Sequence, residues 1–183
     1  MGLKNSGSNK VFVNCVSKPE PLFNVMTSTN DKWIVSGTYN TFEGKLINAY
    51  VTTYEYKGES KDKLVLEFDS DNSLYSISFN FNSVSKSIIN TLANGNYFGQ
   101  VLKLSLYKKG DYANIYITCD GEKIGWKFDA QQVSKIFSQD QRWVDMFNKY
   151  VKENAEAYNK KNQPDVIDNI KPVINIEDDD LPF

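Results

Sequence analysis

The sequence has no histidine and only two cysteines, and these absences exclude several kinds of chemistry. Without an imidazole there is no histidine general base, no histidine-containing triad and no histidine-ligated metal site. Cys15 and Cys119 lie far apart and match no zinc-binding spacing, while two isolated thiols favour a reducing compartment. We therefore expect neither a metal nor a cofactor.

Long apolar segments are missing as well. No apolar run approaches the roughly 20 residues that a membrane-spanning helix requires. Residues 11–16 are apolar but too short, with neighbours too polar, for a signal peptide. We expect no contact with a membrane and a cytoplasmic location.

Opposite charges are unevenly distributed along the chain. Residues 162–183 contain six acids and one base, which leaves 20 bases and 17 acids in the rest of a chain whose formal net charge is −2. A length of 183 residues suits one domain with appendages. We predict a flexible polar arm over residues 1–10, a mildly basic domain over residues 11–161 and a disordered acidic tail over residues 162–183.

The tail ends in a distinctive run of acids and apolar residues: Asp178, Asp179, Asp180, Leu181, Pro182 and Phe183. Repulsion between the carboxylates keeps such a segment extended, and Pro182 blocks regular pairing, so Phe183 is presented to solvent. A solubility tail would gain nothing from an apolar tip. The segment is typical of a ligand for a basic-rimmed apolar pocket on another protein.

This ending resembles the C-terminal tip of bacterial-type single-stranded DNA-binding proteins, including those of bacteriophages, with Leu181 where isoleucine is more usual. In that family the tip docks on replication and repair enzymes, its phenylalanine entering a hydrophobic pocket and its carboxylate meeting a basic side chain. The family's N-terminal opening and its long linker rich in Gly, Gln and Pro are absent. The resemblance implies the looser phage type, with one oligonucleotide-binding (OB) fold and a short acidic tail, acting in a bacterial cell or a phage-infected host.

From Trp33 to Phe128 the residue pattern is that of a mainly β fold. It predicts strands over residues 33–42, 45–57, 63–69, 73–81, 100–108, 112–119 and 122–128, with a possible short strand at residues 11–13. Turn residues such as Glu43-Gly44 and Asp120-Gly121 separate them. Ile124, Trp126 and Phe128 are expected to be core residues of the last strand.

Two helical regions accompany the strands. Ser83 is a candidate N-cap for a helix that ends near Gly95, and a second helical region follows over residues 130–160. Its apolar stripe, expected to pack on the same chain in preference to forming a dimer interface or a partner-binding helix, consists of Trp143, Met146, Phe147, Tyr150 and Val151. Strands, one helix and further strands form the order of an OB-fold barrel, here with an added hairpin.

Alternation within the long strands places tyrosines and lysines opposite the apolar residues. Leu104 and Leu106, for example, share one face, which leaves Tyr107 on the other. The predicted outer faces and adjoining turns collect Tyr50, Tyr54, Tyr56, Lys57, Lys103, Tyr107, Lys108, Lys109, Tyr112, Tyr116, Lys123 and Lys127. Aromatic platforms interleaved with cations suit binding of single strands without regard to sequence. Tyrosine is also an ordinary residue of half-exposed sheet surfaces, so each tyrosine taken singly is better explained as sheet surface or core edge than as a DNA contact.

These features predict a sequence-independent single-stranded DNA-binding protein that is not an enzyme. We expect a monomer or small homo-oligomer that coats single strands and recruits replication, recombination and repair proteins through its tip. One alternative is an adaptor or inhibitor that does not bind DNA and uses the tip to occupy a host DNA-processing enzyme. Another is a metal-dependent nuclease whose divalent metal would be held by Asp69 and Asp71 with Glu55 and Glu67 nearby, although residues 69–72 also form a complete hairpin-turn signature.

Overall fold

Alternating apolar and polar segments form one sheet in the computed structural model, which describes residues 9–30, 32–135 and 138–162. Within those ranges the strands are β1 (Asn9–Val16), β2 (Leu22–Thr29), β3 (Lys32–Tyr39), β4 (Thr41–Tyr56), β5 (Glu59–Ser70), β6 (Ser73–Asn80), β7 (Val101–Lys109), β8 (Tyr112–Cys119) and β9 (Glu122–Lys123). Their spatial order is β3-β2-β1-β6-β5-β4-β7-β8-β9. Neighbouring strands are antiparallel except for β1 and β6, which run parallel.

The predicted mainly β architecture is confirmed, whereas the predicted closure into a barrel is not observed. Over the described ranges the sheet is open, with β3 and β9 as its edges. Closure between β6 and β8 does not occur because β1 pairs with the free side of β6. The helix α1 (Ser83–Leu92) lies at this opening, where Ser83 Oγ donates to the carbonyl of Ala113 and Asn82 Nδ2 donates to Ser17 Oγ.

Local sequence chemistry explains the turns and the helix start. Both central residues of the Lys57-Gly58, Asp71-Asn72 and Asp120-Gly121 turns have positive φ, as two-residue hairpins of right-twisted strands require. The N-cap of α1 is Asn82, one residue before the predicted Ser83. Its side chain accepts a hydrogen bond from the Val84 amide at 2.9 Å, and Ser85 Oγ in return accepts one from the Asn82 amide.

Strand β4 is longer than predicted because Glu43-Gly44 lies inside it and forms no turn. A side chain at Gly44 would come within 3.1 Å of both Phe42 and Phe68, so glycine serves close packing there. Further along, a bulge between Leu46 and Asn48 inserts Ile47 as an extra residue. The first part of β4 pairs with β7 and β5, and the part after the bulge pairs with β5 alone.

Two predictions near the chain ends need correction. The expected short strand at residues 11–13 is the middle of β1, residues 9–10 of the predicted arm belong to β1, and β2 was not predicted. Residues 1–8 of the arm and residues 163–183 of the predicted tail lie outside the described residues.

The predicted strand at residues 122–128 ends at Lys123, and Trp126 is 49% exposed instead of forming core. The chain leaves the sheet because the amides of Lys127 and Phe128 donate to Asn90 at the end of α1. Ile124 is buried and Phe128 packs against the core, as expected.

The second helical region consists of α2 (Ala130–Ser134), α3 (Asp140–Phe147), a π-helical turn (Asn148–Lys152) and α4 (Glu153–Asn162). Trp143, Phe147 and Val151 are fully buried in the core of their own chain, which confirms the expected packing. Lys86 on α1 pairs with Asp140 at the start of α3 (Nζ to Oδ1, 2.6 Å). No helix in the described ranges is long and apolar enough to cross a membrane.

Candidate nucleic-acid interface

A groove of about 540 Å³ crosses the face of the sheet that lies opposite the hydrophobic core. Its lining residues are Lys10, Phe12, Val13, Asn14, Met26, Trp33, Tyr50, Thr52, Thr53, Tyr54, Lys63, Val65, Ser76 and Ser78. We call this feature the outer groove. It spans six adjacent strands, from β3 to β4.

Strand pairing explains why these side chains share a face. Tyr50 on β4 stands opposite Val65 on β5, and Val65 stands opposite Ser78 on β6. Their chain neighbours Ala49 and Leu66 are buried in the core on the other face. The alternation of each strand therefore separates core residues from groove residues.

Aromatic rings form two walls of the outer groove. Phe12 and Trp33 make one wall, with ring centroids 5.4 Å apart in an edge-to-face arrangement. Tyr50 and Tyr54 make the other, three strand spacings or about 14 Å from Phe12. Trp33 is 56% exposed and Phe12 41% exposed, so both retain ring surface for a ligand.

The floor between the walls is made of short polar side chains. Ser76 and Ser78 project from β6, and Ser78 Oγ donates to Asn14 Oδ1 at 2.6 Å. Short side chains leave depth between the aromatic walls. A planar ring could therefore enter edge first and find hydroxyl and amide groups beneath it.

The lining of the outer groove includes two lysines, and Glu67, which stands opposite Ser76, pairs with one of them. Lys10 Nζ lies 5.5 Å from the Phe12 ring centroid and 3.0 Å from Glu67 Oε1, and Lys63 Nζ lies 5.4 Å from the Tyr54 ring centroid. Among the described residues that line the groove, none is a carboxylate. The groove thus places cations beside aromatic faces, which is the combination that single-stranded nucleic acid requires.

The β4–β5 hairpin prolongs the outer groove at its Tyr54 end. Tyr56 lies under two cations, with Lys57 Nζ at 5.3 Å and Lys61 Nζ at 5.2 Å from its ring centroid. A neighbouring cleft of about 740 Å³ contains Tyr54 and Tyr56 but also Asp62 and Asp140. Acidic side chains therefore join the lining in this direction.

Six other predicted residues lie on the same side of the sheet but farther along it, on β7, β8 and β9. We call them the hairpin patch: Lys103, Tyr107, Lys109, Tyr112, Tyr116 and Lys123. The rings of Tyr107 and Tyr116 are 5.8 Å apart, and Lys123 Nζ lies 6.0 Å from the Tyr116 centroid. Lys103 stands opposite Glu43, and the cleft of about 370 Å³ beside it also contains Asp120.

The structure places two of the predicted lysines elsewhere. Lys108 Nζ lies 3.3 Å from Glu20 Oε1, beside the turn between β1 and β2. Lys127 Nζ lies 4.6 Å from the ring centroid of Tyr150, next to the π-helical turn. The predicted tip, residues 178–183, lies outside the described residues.

The aromatic and basic groove residues that were not predicted as ligand contacts are Lys10, Phe12, Trp33 and Lys63. The pattern did contain a local signal, because Phe12 and Asn14 alternate with the buried Val13 and Cys15. The parallel pairing that brings Phe12 opposite Ser76 joins segments more than 60 residues apart. No local pattern predicts such a pairing.

The acids considered for a nuclease are not gathered into a site. Glu67 bonds to Lys10 and to Asn48 Nδ2, and Asp71 occupies a turn with φ of 50°. Asp69 lies on the outer side of β5, with its Oδ2 3.9 Å from Lys45 Nζ. Within the described ranges no cluster of three or more Cys, Asp or Glu side chains could hold a metal ion.

The two thiols lie near different regions. Cys15 is a buried residue of β1 on the core side beneath the outer groove, and burial raises its pKa from 9.0 to about 12. Cys119 ends β8 near the hairpin patch, where partial burial and, secondarily, the charge of Asp120 raise its pKa. Its Sγ lies 2.9 Å from Gln100 Oε1.

Comparisons of the chain with protein-family models, curated proteins and solved structures returned no match.

Proposed function

We propose that this protein binds single-stranded DNA in the outer groove, without regard to base sequence, and thereby coats and protects exposed strands. The observation that supports this most directly is the composition of the groove. Four aromatic side chains flank a floor of short polar residues, two lysines lie beside the rings, and no described lining residue is acidic. Stacking serves every base, and the lysines serve every phosphate.

The strand order gives secondary support. From β4 to β8 the chain runs through three antiparallel strands, a helix and a further hairpin, which is the element order of an OB fold. In that fold the second and third strands present the nucleic-acid face. Here the corresponding strands are β5 and β6, which supply Lys63, Ser76 and Ser78 to the groove.

We further propose that the terminal segment from Asp178 to Phe183 recruits replication, recombination and repair proteins in the cytoplasm of a bacterial cell or a phage-infected host. This part of the proposal rests on the sequence of the tip. A buried aromatic anchor and its carboxylate would provide most of the partner affinity, while the acids speed and orient the encounter. DNA binding and recruitment would then reside in separate parts of the chain.

The DNA-binding proposal is tested by titrating fluorescent oligo-dT of several lengths with the full chain. We expect binding that increases with length up to the site size, weakens with salt and leaves the oligonucleotide intact. Cleavage in the presence of a divalent metal would support the nuclease alternative. An absence of binding at low salt would overturn the proposal and favour the adaptor alternative.

The tip is tested separately by pull-down from bacterial lysate. The parent chain, a variant lacking Phe183 and a variant with one residue added after Phe183 would be compared. Both changes should abolish recovery of DNA-processing enzymes while leaving oligo-dT affinity nearly unchanged, because the added residue displaces the terminal carboxylate from its basic counterpart. Equal recovery by all three would contradict the recruitment role.

A further inference from the structure

The two edges of the sheet are built differently. β9 has two residues, Glu122 and Lys123, both charged and exposed, and a short charged edge is protected against pairing with another chain. β3 has eight residues and, after Lys32, no charged one. Within the described ranges no strand covers its outer side. β3 is therefore an unprotected edge.

Apolar side chains are exposed on both faces of β3. Trp33 and Val35 project on the groove face, and Ile34 projects on the opposite face. Each of them is at least 50% exposed. Exposed apolar side chains on both faces of an edge strand are typical of a strand that pairs with another strand.

A bulge limits the part of β3 that can pair regularly. Val35 pairs with Met26 and Gly37 pairs with Val25, so Ser36 is an extra residue whose Oγ donates to the Val25 carbonyl at 3.2 Å. Bulges bend a strand and interrupt its ladder. The regular, apolar part of the edge is therefore residues 33–35.

We propose that residues 33–35 pair in antiparallel fashion with the same residues of a second copy of this chain, about a two-fold axis at Ile34. A head-to-tail contact between β3 and β9 would match a long apolar edge to a short charged one. It would also build a ring or an open filament and not a dimer. Pairing of β3 with itself closes as a dimer, and in this register Trp33 faces Val35 of the partner subunit with no like charges opposed.

The dimer would join the two outer grooves, a consequence that rests on the proposed function. A two-fold axis between antiparallel strands is perpendicular to the sheet, so both grooves open on the same side. Trp33 lies both on β3 and in the wall of the groove. The two grooves would therefore adjoin across the axis, and a long single strand could engage both.

The first test is the mass of the full chain by sedimentation equilibrium from micromolar to submillimolar concentration. A small edge-to-edge interface should give a weak, reversible dimer, so the mass should rise from 20.9 kDa toward twice that value. Ile34→Lys should remain monomeric throughout, because two ammonium groups would then face each other. The matched control is Val101→Lys, since Val101 is also 50% exposed but lies on β7 inside the sheet.

A charge-pairing experiment tests the register. Ile34→Glu alone should also be monomeric, and an equimolar mixture of Ile34→Lys and Ile34→Glu should recover the dimer, because opposite charges then face each other. Circular dichroism would verify that each variant is folded. A parent chain that stays at one-chain mass, or an Ile34→Lys variant that dimerises like the parent, would overturn the dimer. Failure of the mixture to recover it would overturn the axis at Ile34.

Oligonucleotide binding distinguishes the failure of this inference from the failure of the proposed function. The parent should bind an oligo-dT long enough for two grooves more tightly than a one-groove oligo-dT, and Ile34→Lys should lose that advantage while keeping its affinity for the short one. Equal length dependence in both proteins would contradict the joined grooves but leave the groove as the DNA site. No binding by either would overturn the proposed function and leave the mass measurement unaffected.

Discussion

The outer groove and the hairpin patch satisfy the same sequence pattern, with tyrosines and lysines alternating against core residues, yet the sheet gives them different environments. In the groove, aromatic walls on β1–β3 and on β4 face each other across a floor of serines, and the described lining residues include lysines and no acids. In the hairpin patch, Tyr107 and Tyr116 contact each other, and Glu43 and Asp120 lie beside Lys103. Alternation determines the side of the sheet, whereas neighbouring strands determine whether a ring and a cation are available to a polyanion.

The comparison is tested most strongly by aromatic truncation. Trp33→Ala and Tyr54→Ala should each weaken oligo-dT binding by roughly 1–3 kcal/mol, because each removes a stacking surface. Tyr107→Ala and Tyr116→Ala serve as matched controls on the hairpin patch and should each cost less. Fluorescence anisotropy at fixed salt measures the four affinities, and unfolding curves verify that the variants are stable. If the control substitutions cost more than the groove substitutions, the two regions have exchanged roles.

The two thiols allow a pH test of how the regions are buried. The pKa of Cys15 is raised from 9.0 to about 12, so below pH 9 its thiol is neutral in folded and unfolded chains and adds no pH dependence. Between pH 9 and pH 12 the Cys15 thiol ionises only in the unfolded chain. The free energy of unfolding therefore falls as the pH rises, by about 1.4 kcal/mol at pH 10.

Cys15→Ala should remove this part of the alkaline loss, whereas Cys119→Ala should change the slope less because Cys119 is only partly buried. Chemical denaturation at several pH values between 8 and about 10.5 measures the difference. Identical slopes for the parent and Cys15→Ala would show that the thiol beneath the groove is accessible to water.

Lysine substitution sharpens the comparison through salt dependence. Lys63→Gln should reduce the slope of log affinity against log salt by about 0.7, the effect of one phosphate contact on a single strand. Lys103→Gln should reduce it less, because Glu43 stands opposite Lys103 and already neutralises part of its field. Affinities at four or five salt concentrations provide both slopes. An equal reduction by both substitutions would indicate that the strand tracks both regions.

The smallest expected effect comes from making the hairpin patch resemble the groove. Glu43→Gln removes one carboxylate beside Lys103 and should strengthen oligo-dT binding severalfold at low salt, with the gain lost at high salt. Glu153→Gln, at the exposed start of α4, is a control of equal charge change at a residue that belongs to neither the outer groove nor the hairpin patch. A larger gain from the control would mean that net charge alone accounts for the effect.

Local chemistry made the strands from β4 to β8 largely predictable. The positive φ required at Lys57-Gly58 and Asp120-Gly121 follows from the residue types, and the outward phase of Tyr50 and Tyr54 follows from the buried Ala49. These features depend on neighbours in sequence.

Features that depend on distant segments were not predictable in the same way. The parallel pairing of β1 with β6 keeps the sheet open and supplies Phe12 to the groove. Trp126 looked like a strand residue but is exposed because Asn90, on a distant helix, holds the backbone that follows it. In both cases a contact across more than 30 residues overrides the local pattern.

The extra residue in β4, Ile47, shifts the inward and outward alternation of the side chains by one position. Before Ile47 the odd-numbered residues of the strand, such as Glu43, face outward, and after it the even-numbered residues, such as Tyr50 and Tyr54, do so. One strand thus contributes to both outer regions while keeping a continuous apolar inner face. Deleting Ile47 would therefore remove the bulge and leave both sets of side chains on their present faces, because Asn48 would follow Leu46 in regular alternation.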